Sequence, residues 1–177
     1  MISTMTDIPS IDQSPVNSLC KSCGLCCSGH LFIWTKLRSR ELDSLETLGV
    51  PVLRSVPSQR GFNQPCPLWN GQCTIYHSPH YPRFCHTYKC KLLKKVVEGN
   101  ATLPDALTAI EETKTLIREL GALLPHSPSP NFRERLALYF ERTSVQGHTS
   151  LELRSKASAL LTAYEEVFGI DDVIEAS

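Results

Sequence analysis

Apolar residues recur at helical spacing through the second half of the chain. One stretch begins at Thr102-Leu-Pro-Asp105, which is typical of a helix start with proline in the first turn, and it ends near Gly121. Its apolar positions lie three or four residues apart, at Leu107, Ile110, Leu116, Ile117 and Leu120. This periodicity predicts an amphipathic helix.

Two further helices follow in the pattern. The breaker Ser127-Pro-Ser-Pro130 precedes one of them, with Ser129 or Asn131 as its cap and an end at about Val145. The other begins at Thr149-Ser-Leu-Glu152 and ends at Gly169. The simplest interpretation of the apolar stripes is the packing faces of a small helical bundle, and a partner-binding groove is the alternative.

The first half has a different pattern, with short periodic stretches between turn-forming residues. Residues 31–35 are β-prone, and residues 39–48 predict a short helix capped by Ser39. Residues 50–82 are rich in Pro, Gly, Asn and Gln and predict loops with at most short strands, whereas residues 91–98 predict a short helix ending at Gly99.

These elements predict a mainly α protein in which a small helical bundle supports an irregular, loop-rich, metal-binding half. All eight cysteines lie between residues 20 and 90. The predicted organisation is a disordered N-terminal tail over residues 1–18, a cysteine-cluster metal-binding domain over 19–98, and a helical support region over 99–177 packed on it.

Composition limits the partners and the compartment. Eighteen basic residues balance eighteen acidic ones, so no charge imbalance favours nucleic acid or an anionic membrane surface. No apolar run reaches the roughly 18 residues typical of a membrane span. Residues 1–18 lack the basic start and apolar run of a secretory signal, so we expect a cytoplasmic protein with reduced thiols. In a reducing compartment, eight cysteines indicate metal or redox chemistry rather than disulfides.

The first cysteine run is Cys20-Lys-Ser-Cys23-Gly-Leu-Cys26-Cys27. Its repeated two-residue spacing matches the way in which consecutive thiolates bind one iron-sulfur cluster, with a fourth ligand from elsewhere. Because neighbouring side chains diverge, Cys26 and Cys27 are not expected to face one centre. One of them therefore serves a second centre, bridges two centres, or remains a free thiol.

Four more cysteines follow downstream, at Cys66, Cys73, Cys85 and Cys90. Asn70-Gly71 is a strong turn signal that would bring Cys66 and Cys73 together. All eight are predicted metal ligands. Eight thiolates suffice for two four-cysteine centres, or for one centre and a redox pair, and the spacing does not choose between these arrangements.

With these residues the chain resembles the YkgJ-type cysteine-cluster proteins, also called the CxxCxxCC zinc- or iron-chelating domain. The resemblance covers residues 19–92 and rests on the first run, on Cys66-Pro67-Leu68, on Cys73-Thr-Ile-Tyr76 and on the Pro82 to Cys90 segment. It implies bound zinc or iron, and the similar cysteine-cluster portion of flagellin lysine methylases favours an iron-sulfur centre. The chain departs from the family at Tyr81-Pro82, where Arg-Pro is common, and at His86, where Arg is usual.

The spacing itself also favours iron-sulfur over zinc, since zinc typically uses two separated CxxC pairs. We expect an iron-sulfur cluster, with two clusters as one arrangement, 4Fe-4S as the cluster type and zinc as the alternative metal. Metal-free structural cysteines are a weaker alternative, because thiols clustered in polar loops lack apolar burial.

Three functions fit this cofactor. The first is electron transfer, or a redox component of a modifying enzyme system, with a protein redox partner. The second is a zinc-stapled interaction module, and the third is an enzyme that uses the metal directly. The sequence contains no nucleotide-binding or serine-hydrolase motif.

Several other side chains near the cysteines are secondary candidates. The histidines are candidate nitrogen ligands or proton relays, although each is more simply a surface or supporting residue. The aromatic residues are candidates for an apolar shell around a cluster, and the lysines form a basic stretch or a solvated helix face. They are His30, His77, His80 and His86, then Trp34, Trp69, Tyr76, Phe84 and Tyr88, then Lys89, Lys91, Lys94 and Lys95.

Overall fold

The computed structural model describes residues 15–127, 129, 131–146 and 150–170, and within them the protein is mainly α-helical. The α-helices are α1 (Pro15–Cys23), α2 (Leu42–Thr47), α3 (Arg83–Thr87), α4 (Lys91–Val97), α5 (Leu103–Leu123), α6 (Phe132–Gln146) and α7 (Leu151–Ala163). A π-helical turn, Tyr164–Phe168, continues α7, and 3-10 turns span Ser39–Glu41 and Pro57–Gln59. The predicted mainly α fold is confirmed.

The β-structure is small and lies in the first half. Strands β1 (Trp34–Lys36) and β2 (Gly61–Asn63) pair antiparallel, with Thr35 opposite Phe62. Phe62 is fully buried and packs with Leu37, Leu42, Leu45 and Val50 in a minor core. Because α2 and the two-stranded sheet share this core, they form one compact support for the loops on either side.

The main core joins the helical half to the cysteine-bearing half. Helix α5 packs on α7 and α1, and α4 packs on α1, α5 and the π-helical turn. Their buried residues include Leu19 of α1, Leu93 of α4, Ile110 and Leu120 of α5, and Leu160 of α7. The partly buried Cys23, Cys26 and Cys90 pack against this core, so the helices fix where these three thiols lie.

The predicted helix starts agree with the structure at two positions and differ at one. The Thr102 hydroxyl accepts a hydrogen bond from the Asp105 amide, and Asn131 Oδ1 accepts from the Arg133 amide at 2.9 Å. The Ser39 cap is wrong, because Glu41 reaches back and accepts from the Arg38 amide, making Arg38 the cap residue. Gly121 lies near the end of α5, as predicted, since the helix ends at Leu123.

Some predictions fall partly or wholly outside the described residues. Of the predicted tail over residues 1–18, residues 1–14 lie outside them, and residues 15–18 belong to α1. The start of the last helix at Thr149 also lies outside them, and the helix is described from Leu151. The division at residue 98 stays a prediction.

In the described ranges, none of the helices combines the length and the apolar character that crossing a bilayer requires.

Replacement of Asn131 by alanine should lower the free energy of unfolding by roughly 1–3 kcal/mol. The buried side chain caps α6 through Oδ1, and its Nδ2 donates to the Gln64 carbonyl at 3.4 Å, so the change removes contacts to two segments. Urea unfolding measures the effect. Thr102→Ala is the matched control, because Thr102 caps α5 from an exposed position. A smaller loss for Asn131→Ala than for Thr102→Ala would contradict the assigned role.

Candidate metal centre

Four chain segments bring the eight cysteines to one region of the molecule. Helix α1 carries Cys20 and Cys23, and the turn that follows carries Cys26 and Cys27. Cys66 and Cys73 lie in the loop after β2, Cys85 lies in α3, and Cys90 is the N-cap residue of α4. All eight are free thiols.

The electrostatic coupling among the thiols sorts them into two sets. Cys90 acts on Cys20, Cys23 and Cys26, raising the pKa of each. We call these four cysteines the first quartet.

Cys27 belongs to the other set. The cysteines that raise its pKa most, after burial, are Cys85, Cys66 and Cys73. Cys66 and Cys73 in turn raise the pKa of Cys85. We call Cys27, Cys66, Cys73 and Cys85 the second quartet. The quartets are adjacent, since Cys27 raises the pKa of Cys26 and Cys23 raises the pKa of Cys27.

The second quartet is held together by backbone contacts between loops. The Cys66 amide donates to the Cys27 carbonyl at 2.7 Å, which joins the two cysteine segments directly. Trp69 and Cys73 form an isolated antiparallel bridge around Asn70-Gly71, and Gly71 has a φ of 93°. The turn signal in the sequence therefore corresponds to a turn that brings Cys73 back toward Cys66.

Backbone amides also point at the sulfur atoms. The sulfurs of Cys23, Cys66 and Cys73 each have a hydrogen bond with the amide two residues on, from Leu25, Leu68 and Ile75. Cys90 Sγ accepts from the Leu93 amide at 3.4 Å and so caps α4. Such amides stabilise negative charge on sulfur, as thiolate ligands of a metal require.

Burial nevertheless keeps these thiols protonated when no cation balances them. It is the largest cause of the raised pKa of all eight, to about 11 for Cys20 and about 12 for Cys23 and Cys85. Lys114 and Lys94 lower the pKa of Cys23 and Cys90 but do not reverse the shift. Eight neighbouring thiols, four of them with the amide donors just described and all with little cationic compensation, fit a bound metal, because a metal supplies the missing positive charge.

Among the described residues, no group of three or more His, Cys, Asp or Glu side chains has the geometry needed to bind a single metal ion. The four thiols of each quartet are thus neighbours, but they are not arranged in the coordination geometry of a single bound ion.

An apolar cavity lies between the thiols, with aromatic walls. Its lining includes cysteines of both quartets and the rings of Trp69, Tyr76 and Phe84. Phe84 stacks on Tyr88 at 5.7 Å between ring centroids, and Phe32 meets both edge-on. Of the five aromatic residues that the sequence indicated, Trp34 alone is absent from the lining.

Gly24 sets the distance between the first cysteine run and the Cys66–Cys73 loop. Its φ is 68°, and a Cβ at this position would overlap the indole ring of Trp69. The buried glycine therefore permits Trp69 to close over the backbone between Cys23 and Cys26, and no larger residue would.

The histidines lie mostly away from the thiol cavity. His30 packs edge-on against Phe132 at 5.1 Å, and burial lowers its pKa to about 4. The other three, His77, His80 and His86, line a separate polar cleft. The His77 ring nitrogen Nε2 is 2.8 Å from Lys21 Nζ.

Sequence reasoning missed three residues of the site. Phe32 and Tyr81 line the cavity, and the Tyr81 hydroxyl donates to the Cys85 carbonyl at 3.3 Å. Lys114 of α5 donates to the Ser22 carbonyl at 2.9 Å, which places its charge near Cys23. The sequence could have indicated Tyr81 and Phe32, because both lie close in sequence to the cysteine segments. No sequence feature indicated Lys114.

A comparison with known families gives one match. The family model described as "CxxCxxCC: Putative zinc- or iron-chelating domain" matches residues 19–113, more than half of the chain. Neither the curated proteins nor the solved structures contain a match. The matched range extends beyond residue 92 into α5, and Leu93 of α4 and Ile110 of α5 line the thiol cavity. The resemblance seen in the sequence is confirmed.

Replacement of Gly24 by alanine should lower the metal bound per chain, because the added Cβ displaces Trp69 from its place over the turn. Metal analysis and tryptophan fluorescence measure the two effects. Gly99→Ala is the matched control, since Gly99 has a φ of 75° but no atom within 4 Å of an added Cβ. Both changes carry a backbone strain of about 1 kcal/mol. Equal metal content in the two variants would contradict the role of the close approach.

The metal-free, reduced protein should lose stability as the pH rises above 9. The unfolded chain ionises its thiols near the ordinary pKa of 9.0, whereas the folded chain keeps the buried thiols of raised pKa protonated. The unfolded state then binds fewer protons, so the free energy of unfolding falls by up to about 1.4 kcal/mol per pH unit for each such thiol. Urea unfolding between pH 8 and 10 tests this. Cys26→Ser should show a shallower slope, and an identical slope would contradict the prediction.

Proposed function

Because the chain belongs to the CxxCxxCC family of zinc- or iron-chelating domains, we propose that it is an iron-sulfur protein with two four-cysteine centres. The first quartet, Cys20, Cys23, Cys26 and Cys90, holds one 4Fe-4S cluster, and the second quartet, Cys27, Cys66, Cys73 and Cys85, holds the other. The protein acts in electron transfer or as the redox component of a modifying enzyme system.

The observation that carries this proposal is the sorting of eight thiols into two sets of four. Four cysteines are the usual ligand set of one iron-sulfur cluster. Three cysteines of the first run fall in one set, together with a cysteine distant in sequence, which is the arrangement that the C-x2-C-x2-C spacing favours.

The chain's own residues are suited to a redox role. A bound iron-sulfur cluster supplies one-electron oxidation and reduction. The amides of Leu25, Leu68 and Ile75 donate to the sulfur atoms, which favours the more negative state of a centre. The rings of Phe84 and Tyr88 exclude water from the cavity, which opposes this effect. The balance between the amide hydrogen bonds and the exclusion of water sets the reduction potential of a bound cluster.

This function requires a protein that donates or accepts electrons, and we propose such a redox partner. The net charge of zero gives no support to binding of nucleic acid or of a membrane surface. A cytoplasmic location agrees with eight thiols that form no disulfide.

A second candidate function is a zinc-stapled interaction module. It is favoured by the little regular structure between α2 and α3, where the described residues contain one 3-10 turn and one three-residue strand. Cross-linking such a segment through a metal would contribute folding free energy directly.

Anaerobic purification followed by iron, sulfide and zinc analysis tests the proposal. We expect a brown protein with about eight iron and eight sulfide per chain. Cys90→Ser should lose most of one cluster and Cys85→Ser most of the other, so each variant keeps roughly half of the iron. Thr87→Ala is the control, because this exposed residue lies between the two cysteines and its hydroxyl donates only to the Arg83 carbonyl.

The outcomes separate the candidate functions. A colourless protein with stoichiometric zinc after anaerobic purification would overturn the iron-sulfur proposal, and loss of the fold on chelation would then support the zinc module. If either cysteine variant alone abolished all iron binding while Thr87→Ala kept it, the two-centre arrangement would be wrong.

A further inference from the structure

A polar cleft of about 700 Å³ opens to the surface beside the second quartet. We call it the arginine cleft. Its lining contains two arginines, three histidines and two tyrosines. The residues used below are Arg40, Arg83, His86, Tyr76, Tyr81 and Glu41.

A single carboxylate brings the two arginines to the same cleft. Glu41 Oε2 accepts from the Arg38 amide at 2.7 Å, and Oε1 accepts from the Arg83 amide at 2.9 Å. These bonds link the 3-10 turn at 39–41 to the start of α3, across 42 positions in sequence. Arg40 and Arg83 therefore face the same cleft although they belong to different elements.

Neither guanidinium has an anionic partner in the part of the chain that the structure describes. The ion pairs found there join Arg54 to Asp43 and Glu46, Lys114 to Glu111, and Lys156 to Glu119. Arg40 and Arg83 are both exposed.

Tyr76 and Tyr81 line both this cleft and the apolar thiol cavity. The Tyr76 and Tyr81 rings lie 5.2 Å apart, and His86 lies 6.4 Å from the Tyr81 ring. The same three residues border a smaller cavity that reaches Cys20 and Cys85. A molecule in the cleft would thus lie among both tyrosine rings and arginine side chains.

We propose that the arginine cleft binds a small oxyanion-bearing molecule, held by the guanidinium groups of Arg40 and Arg83 against the ring of Tyr81. A guanidinium fork matches paired oxygens of a phosphate or a carboxylate. The volume is in the range of small-molecule sites, so an organic or condensed anion fits it. The proposal is independent of which metal the quartets hold, since no thiol takes part.

Calorimetric titration of the metal-loaded protein at constant ionic strength tests the proposal, with pyrophosphate and citrate as probes. Arg40→Gln and Arg83→Gln should each weaken binding about tenfold or more, and Arg83→Lys, which keeps the charge without the fork, should weaken it less than Arg83→Gln. Arg118→Gln on α5 is the matched control, because this exposed arginine hydrogen-bonds only within its own helix.

Binding of pyrophosphate alone would assign the cleft to phosphates, and binding of citrate alone to carboxylates. The proposal is overturned if the unmodified protein binds neither probe, or if Arg40→Gln and Arg83→Gln bind as Arg118→Gln does. Metal content is measured on every variant and should be unchanged. Failure of the iron-sulfur proposal would appear in that analysis and not in the titrations.

Discussion

Eight neighbouring thiols, of which all but Cys66 line one apolar cavity, place the strongest physical demand on this molecule. Ionised sulfur is costly where water is scarce, and burial accordingly raises the pKa of each cysteine. The folded chain meets this demand either by keeping the thiols protonated or by holding a cation among them. The helices and loops around the cavity hold these sulfur atoms close together despite that cost.

The two halves of the chain contribute differently to that arrangement. The helical half supplies a rigid wall, since α5 packs on α1 and α7 and holds Cys23 and Cys26 against buried leucines. The loops of the other half place cysteines that are distant in sequence near Cys27, and the turn at Asn70-Gly71 is an example. Gly24 lies where the halves meet, and it makes room for Trp69. The packed helices lie on one side of the thiol cavity and the cysteine loops on the other, and together they define its size.

Local signals in the sequence predicted the helical half well. Thr102 and Asn131 cap their helices as expected, because capping depends on residues only a few positions away. Helix α1 was missed although Cys20 and Cys23 have the three-residue spacing of one helix face, because their chemistry suggested a loop. The expectation that Cys26 and Cys27 serve different sets needed only the fact that neighbouring side chains diverge, and the quartets assigned from the pKa shifts agree with it. Contacts of Lys114 with Ser22 and of Glu41 with Arg83 depend on the complete fold, and no local pattern contains them.

The position of Cys90 at the start of α4 links the cysteine cavity to the helical framework. Its sulfur is at once a member of the first quartet and the acceptor for the Leu93 amide. Negative charge at a helix N-terminus is favourable by about 0.3–1 kcal/mol, whereas a neutral thiol is a weak acceptor. Any event that changes the charge on this sulfur therefore changes the stability of the first turn of α4. Since α4 packs on α5 and on the π-helical turn after α7, the ionisation state of one cysteine is coupled to the packing of the helical half.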